Sequence, residues 1–438
     1  MTESNGARSE VGAASGTPQP GDTEAASFGF VIVTAAPLGG HSQAGAASDY
    51  APALSSIGGQ PWELFNIDGQ APLVVLVETG GTERTILDVW RRRLETAAKA
   101  PVLLVAHAGN NSLPAALEAF ARLRQDGHRG RVLFLESPDD ARGLAALRAA
   151  VSDVDTWRRL RQSKIGVVGS PSGWLVASSP DPAVLRTVWG PQILQVSLER
   201  LIEAVSTESI TGDHVSDSVA LGAAEVREPE PGDVTKAERV FAAVERLAEQ
   251  KGLDGVSLRC FDLIEELGTT GCVALSRLAD AGLAAGCEGD LVSTVAMLWV
   301  KLLLGEVSWM ANPSAVDPET NTLVLAHCTV PRSMIDGYTL RSHFESGTGV
   351  AIQGTLSDGP VTLIRIGGRD MTELWLAEGE IVRAGNSKKL CRTQVELRLT
   401  GGGTAADLLE RPLGNHIVLV RGQHAARLRA WWKLMVSD

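Results

Sequence analysis

The sequence predicts an α/β protein: two Rossmann-like parallel-sheet domains followed by a β-rich, antiparallel barrel-like C-terminal domain. Three observations predict it. Short apolar runs alternate with amphipathic helical stretches over the first three quarters of the chain, the pattern of βαβ units. The apolar runs are nearly continuous, as strands buried on both faces require. After Pro331 the pattern changes to short strand-like runs parted by Gly and Ser-Asp-Gly turns, the spacing of an antiparallel sheet or barrel.

Taken in order, the first 27 residues are mostly Gly, Ser, Ala, Thr, Pro and acid, and read as a solvated tail with no leader-type apolar core. Folding is expected from Phe28, where Phe-Gly-Phe-Val-Ile-Val-Thr forms a buried strand ended by Pro37 and Gly39-Gly40. Further strands are expected over 73–77, 102–105, 132–135 and 165–168, with helices over 85–98 and 113–124 between them. A second unit begins near Lys164 and runs through Gly169-Ser-Pro-Ser-Gly173 into a helix expected over 192–206, with Pro191 where a helix start tolerates it. The polar stretch 225–233 reads as a connection, and a helix over 235–250 follows, with Asp233 and Glu238 near its N-terminus as the helix dipole prefers. Beyond Pro331, strands are expected over 349–356, 361–366, 372–377, 379–382 and 394–399, and a last helix over 424–435. The expected division is a tail at 1–27, α/β domains at 28–163 and 164–330, and a β-rich domain at 331–438.

Composition narrows the function. Of 438 residues, 44% are hydrophobic and 21% charged, an ordinary globular balance. Forty basic against fifty-two acidic side chains give a net charge of -12, which argues against nucleic acid as a partner because phosphate would be repelled. The most apolar stretch, 291–304, carries Lys301 and is shorter than the ~20 residues of a spanning helix, so no membrane partner is expected. The five cysteines form no CxxC pair, and an odd number in a chain of this size fits free thiols in a reducing cytoplasm.

Three places concentrate reactive side chains. Gly286-Cys-Glu-Gly-Asp290 lies between a weak strand and the apolar helix, and that helix leads to a strand over 307–310 ending at Ala311-Asn312-Pro313. In a right-handed βαβ crossover Glu288 and Asn312 would both project from carboxyl ends of parallel strands, where open α/β sheets bind ligands. On local pattern alone, Asp290 as a helix N-cap, with Glu288 a dipole-favoured acid beside it, is the stronger reading. Leu413-Gly-Asn-His416 places a histidine just before a strand, as a metal ligand, a proton carrier or a hydrogen-bonded structural residue. His327-Cys-Thr-Val-Pro331 and Arg341-Ser-His-Phe-Glu-Ser-Gly347 gather His327, Cys328, His343 and Glu345 at a domain junction. A thiol nucleophile there is disfavoured, since His327 and Cys328 point to opposite faces of a strand.

Together these segments resemble the L-fucose and L-arabinose isomerase superfamily, in its shorter fucose-isomerase-like branch. The resemblance is carried by Leu76-Val-Glu-Thr-Gly-Gly-Thr-Glu83, Asn111-Ser-Leu-Pro114, Gly169-Ser-Pro-Ser-Gly-Trp-Leu175, Cys287-Glu-Gly-Asp290 and Met310-Ala-Asn-Pro-Ser314. Ala326-His-Cys-Thr-Val-Pro331, His343-Phe-Glu-Ser-Gly347, Cys391-Arg-Thr-Gln394 and Pro412-Leu-Gly-Asn-His416 extend it across the folded chain. It implies a ketol isomerase with a divalent metal, commonly manganese, assembled as a homo-oligomer, a trimer or hexamer. It also implies metal ligands at Glu288, His416 and Asn312, the last standing where the family has a second acid. Glu288, Asp290 and Glu345 become the candidate proton carriers, and Asn312, His327, His343 and Arg392 the candidate substrate contacts. Arg392 and Arg365 read equally as partners of acids at a domain interface.

The implied chemistry explains those residue types. Aldose–ketose interconversion moves a proton between C1 and C2 through an enediol, and a divalent cation on O1 and O2 stabilises the developing negative charge. One carboxylate removes the carbon-bound proton and a second group manages the hydroxyl proton. Mixed oxygen and nitrogen ligands suit a manganese-type ion, and Asn312 could lend a carbonyl oxygen but no base. The implied substrate is a sugar or a modified, sulfonated or phosphorylated sugar. The alternative is a catalytically silent sugar-binding or regulatory protein that kept the fold.

Overall fold

A computed structural model describes residues 26–35, 48–64, 66–67, 71–208 and 217–436. The tail expected at 1–27 therefore falls almost wholly outside the described residues, as does the turn expected at Pro37 to Gly40. Strands β1 (Phe28–Val33), β2 (Gly59–Pro61), β3 (Leu73–Val77), β4 (Val102–His107) and β5 (Gly130–Leu135) build one all-parallel sheet in the order β2-β1-β3-β4-β5. Its central strands β3 and β4 are buried at every position, which is why their sequences show no alternation. A second parallel sheet is ordered β10-β9-β6-β7, from β6 (Lys164–Val168), β7 (Gln192–Val196), β9 (Gly255–Leu258) and β10 (Ala284–Cys287).

Four sequence expectations are corrected by the fold. Residues 192–206 are not one helix: β7 takes 192–196, and the helix Leu198–Thr207 starts after Ser197, whose side chain caps it. Gln-Ile-Leu-Gln-Val pairs in parallel with β6, and the Ser197 cap divides it from the helical stretch. The stretch 225–233 is not simply a connection, because Glu225–Val226 forms the short strand β8 and the helix Pro231–Lys251 begins within it.

The third correction bears on the site. The strand expected over 307–310 is β11 (Ser308–Asp317), which runs straight through Asn312 and Pro313. It is antiparallel to both neighbours, with Asn312 opposite Ala326 on β12 (Thr322–His327) and Ala311 opposite Ile417 on β18 (Ile417–Arg421). No parallel crossover exists between β10 and β11. Pro313 is tolerated because the register shifts in a bulge between Pro313 and Ala315.

With β15 (Gly359–Gly367), β16 (Glu373–Ala384) and β17 (Thr393–Gly402), these strands close a barrel in the order β11-β12-β17-β16-β15-β18. The two strands expected over 372–382 are one long strand, β16, bulged at Gly379. A separate small sheet holds β8 with β13 (Gly337–Arg341) and β14 (Ala351–Thr355).

The helix Leu291–Leu304 joins the layers. Twelve of its fourteen residues are buried, so its apolar character reflects enclosure on all sides. Leu298 and Trp299 belong to the same core as Val256 of β9 and as Ile364, Val418 and Val420 on the outer face of the barrel. Each such fully buried side chain stabilises by roughly 1.5–3 kcal/mol. The alternate residues Leu363, Ile417 and Leu419 fill the barrel interior instead. The period of two thus splits β15 and β18 between two cores, and it docks the barrel onto the N-terminal end of this helix. No helix among the described residues is long and apolar enough to cross a membrane.

Candidate active site

The site begins where β10 ends. After Cys287 the chain turns through Glu288 (φ 63°) and Gly289 (φ 78°) before the helix Leu291–Leu304. A left-handed glutamate costs of order 1 kcal/mol or more and persists only where its surroundings enforce it. They do so here. The Ser172 N–H donates to the Glu288 carbonyl at 2.9 Å, and a Cβ at Gly289 would stand 2.6 Å from Pro171 Cα. The loop after β6 is thus clamped on the Glu288-Gly289 turn, with room at 289 for glycine alone.

Asp290 caps the helix, accepting from the Ser293 N–H and hydroxyl, each at 2.8 Å. Its Oδ2 also holds His416 Nδ1 at 2.8 Å and lies 3.6 Å from Arg365. All three side chains are buried. Arg365 is further tied to Ser293, Ser178 and the Leu413 carbonyl, so of the two roles open to it the structure assigns the partner of an interface acid. His416 leads into β18 and brings its Nε2 to 3.6 Å from Glu288 Oε1. His327, the last residue of β12, places its Nε2 3.9 Å from the same oxygen, while its Nδ1 meets the Thr329 hydroxyl at 2.9 Å.

The ligand atoms of Glu288, His327 and His416 all lie within 4.8 Å of one another. The tautomers that donate Nδ1–H to Thr329 and Asp290 leave both Nε2 lone pairs facing Glu288. His416 Nε2 is buried with no hydrogen-bond partner, a nitrogen suited to ligate a metal ion. A ligating histidine whose other ring nitrogen is held by a carboxylate is the usual support of a metal site. The residues fit a divalent ion.

Charge in the cluster is uneven. Burial alone would push the His416 imidazole down, but Asp290 and Glu288 outweigh it and raise it to about 9. His327 is pushed down to about 4 by burial and by His416. Burial would lift the Glu288 carboxyl, yet His416, His327 and Trp174 hold it below its ordinary range. Burial likewise opposes ionisation of Asp290, and His416 and Arg365 bring it to about 2.

The remaining candidates stand around this centre. Asn312 is half-buried on β11, one residue past the Ala311–Ile417 pair and so beside His416. It shares a strand face with Met310, whose sulfur accepts from the Cys287 N–H at 3.1 Å. His343 is buried, with Nδ1 3.2 Å from the Ser346 hydroxyl. Glu345 is exposed on the same loop. Arg392 binds the Ser342 carbonyl at 2.8 Å and hydroxyl at 3.2 Å, which ties it to the loop carrying His343. Asp290 has both oxygens engaged within the protein. All five cysteines are free, with Cys260 and Cys287 Sγ atoms 3.0 Å apart.

Sequence reasoning missed Trp174. Its Nε1–H donates to Glu288 Oε2 at 2.6 Å, although the residue is 55% exposed. It meets Phe261 edge-on at 5.1 Å, and Phe261 meets His343 edge-on at 5.5 Å, making an aromatic row beside the carboxylate. The only signal was the Gly169-Ser-Pro-Ser-Gly-Trp174 stretch itself, a glycine-rich loop at the carboxyl end of a parallel strand.

A parallel sheet with an open carboxyl edge, a barrel docked against it, and one carboxylate with two imidazoles between them define the class: an α/β protein with a buried site able to hold a metal ion. The comparisons narrow this. The chain is 23% identical over 328 residues to the sulfoquinovose isomerase of Alkalicoccus urumqiensis, covering 73% of each chain. It is 23% identical over 323 residues to the sulfoquinovose isomerases of Priestia aryabhattai and Priestia megaterium, covering 71% of each. No family model matches the chain.

Proposed function

We propose that the protein is an aldose–ketose isomerase acting on a sugar, with a sulfonated aldose as the favoured substrate class, and that it works with a divalent metal of the manganese type. The observation that carries the reading is the convergence of Glu288, His327 and His416, with His416 Nε2 buried and without a partner. The names of the similar proteins supply the substrate class.

Glu288, His327 and His416 would hold the ion, with Asn312 beside His416 as a neutral ligand or substrate anchor. When bound, the ion supplies a positive charge for the oxygens on C1 and C2 of the sugar. His327 thus moves from substrate contact to ligand. Glu288 takes the proton from C2; the electrons of that C–H bond form the C1–C2 double bond of the enediol as O1 gains a proton. Return of the proton to C1, with loss of the proton on O2, gives the ketose and leaves the protein unchanged. Asp290 positions His416 and transfers no proton to the sugar, because it is fully buried with both oxygens bonded inside the protein. Glu345 and His343, on the loop held by Arg392, are the groups assigned to the hydroxyl proton.

The test is a panel of aldoses and sulfonated aldoses with and without manganese, read by product chromatography for wild type and Glu288→Gln. Manganese-dependent ketose formation that disappears in Glu288→Gln is expected. A metal-free protein that binds a sugar and forms no product from it would support a silent sugar-binding protein instead.

A further inference from the structure

Tryptophan is costly to expose, and Trp174 is more than half exposed while its N–H sits on a buried carboxylate. The indole is bonded through its N–H to Glu288 and meets one ring, Phe261, edge-on. The loop beneath it is nonetheless rigidly placed. Ser172 is bonded to the Glu288 carbonyl, the Leu175 N–H closes on the Ser172 carbonyl at 3.0 Å, and Pro171 packs on Gly289.

Two consequences follow from the geometry. The bond to Oε2 turns Oε1 toward the two imidazoles and anything they ligate, and leaves Oε2 one lone pair for a proton. A carboxylate so held keeps one rotation about its Cγ–Cδ bond. The exposed indole face, standing at the edge of Glu288, is also a flat apolar surface of the kind on which a sugar's C–H face stacks.

We propose, resting on the isomerase reading above, that Trp174 is a positioning and specificity-determining residue: its N–H fixes the orientation of Glu288, and its open face is the platform for the sugar ring. The two roles separate by substitution. Trp174→Phe keeps an aromatic face and loses the N–H; Trp174→Ala loses both.

In the manganese-loaded enzyme Trp174→Phe should lower kcat at least tenfold with KM within about threefold of wild type. Trp174→Ala should lower kcat similarly and raise KM at least tenfold. Both should retain the wild-type melting temperature, since the ring is largely outside the core. A second readout does not need turnover. Manganese added to the metal-free protein should change tryptophan emission in wild type, and that difference should vanish in Trp174→Phe while chelator competition shows that the variant still binds the ion. A kcat within twofold of wild type in Trp174→Phe, or an unchanged emission difference in that variant, overturns the proposal. If wild type turns over no sugar, the isomerase reading fails by itself and the emission difference alone decides the contact between Trp174 and Glu288.

Discussion

Replacing Asp290 by asparagine tests the buried network at its centre. The substitution keeps the volume and the N-cap, because asparagine caps as well as aspartate, and removes the charge and one acceptor oxygen. That charge faces His416 at 2.8 Å and Arg365 at 3.6 Å with no solvent between. Against burial, these partners hold the Asp290 carboxyl at about 2 rather than 3.8, which corresponds to about 2 kcal/mol of stability at neutral pH. The amide also leaves Arg365 buried without its counter-charge, and breaking a buried pair brings the expected loss to about 3–4 kcal/mol. Because the folded pKa is depressed, the wild-type advantage should be complete above about pH 4 and should fade as pH drops through 2. Urea denaturation of the metal-free protein at several pH values measures this directly. Chelator competition at neutral pH should show metal affinity reduced roughly 10- to 100-fold, since His416 loses the partner that fixes its tautomer. A loss under 1 kcal/mol together with unchanged metal affinity would refute the role given to Asp290.

Metal binding should depend on pH through His416. An ion must displace the proton on an imidazole held up at about 9, so affinity should rise about tenfold per pH unit from 6.5 to 9 and then level; a flat profile in calorimetry would exclude His416 as a ligand. For the metal-free protein the sign is opposite, because the stabilisation from protonated His416 is full below its unfolded value of 6.5 and is lost as pH rises through 9. Gly289→Ala should destabilise by about 1–3 kcal/mol, from φ 78° and the 2.6 Å approach to Pro171, and should weaken metal binding by moving Glu288. A variant with wild-type stability by thermal denaturation would show that the loop yields freely.

Much of this was legible in the sequence, for identifiable reasons. Solid apolar runs such as 73–77 announce parallel strands because both faces are covered, and the change to turn-separated runs after Pro331 announces antiparallel pairing. Glu288 and His416 stood out through the motifs around them, and Asp290 as a helix cap. Strand direction was not legible: nothing local to Trp309, Met310 and Ala311 tells a parallel strand from a barrel strand, because their partners on β18 lie far along the chain. His327 was noticed, but its approach to Glu288 was not legible, since its direction depends on how far β12 runs before the barrel ends. Trp174 was passed over because indoles usually fill cores, and its exposure is a property of the folded loop alone.

The metal-ligand candidates come from both sides of an internal seam, Glu288 from the parallel sheet and His327 and His416 from the barrel. His416 directly precedes β18, the strand that closes the barrel between β11 and β15. A chain emerging from the ribosome N-terminus first can therefore fold both parallel sheets and still present a lone carboxylate. The third ligand arrives only when the last strand is released and inserted. On the metal-site reading, a chain cut before residue 416 would lack one of the three candidate ligands, so capture of an ion would depend on insertion of the strand that shuts the barrel.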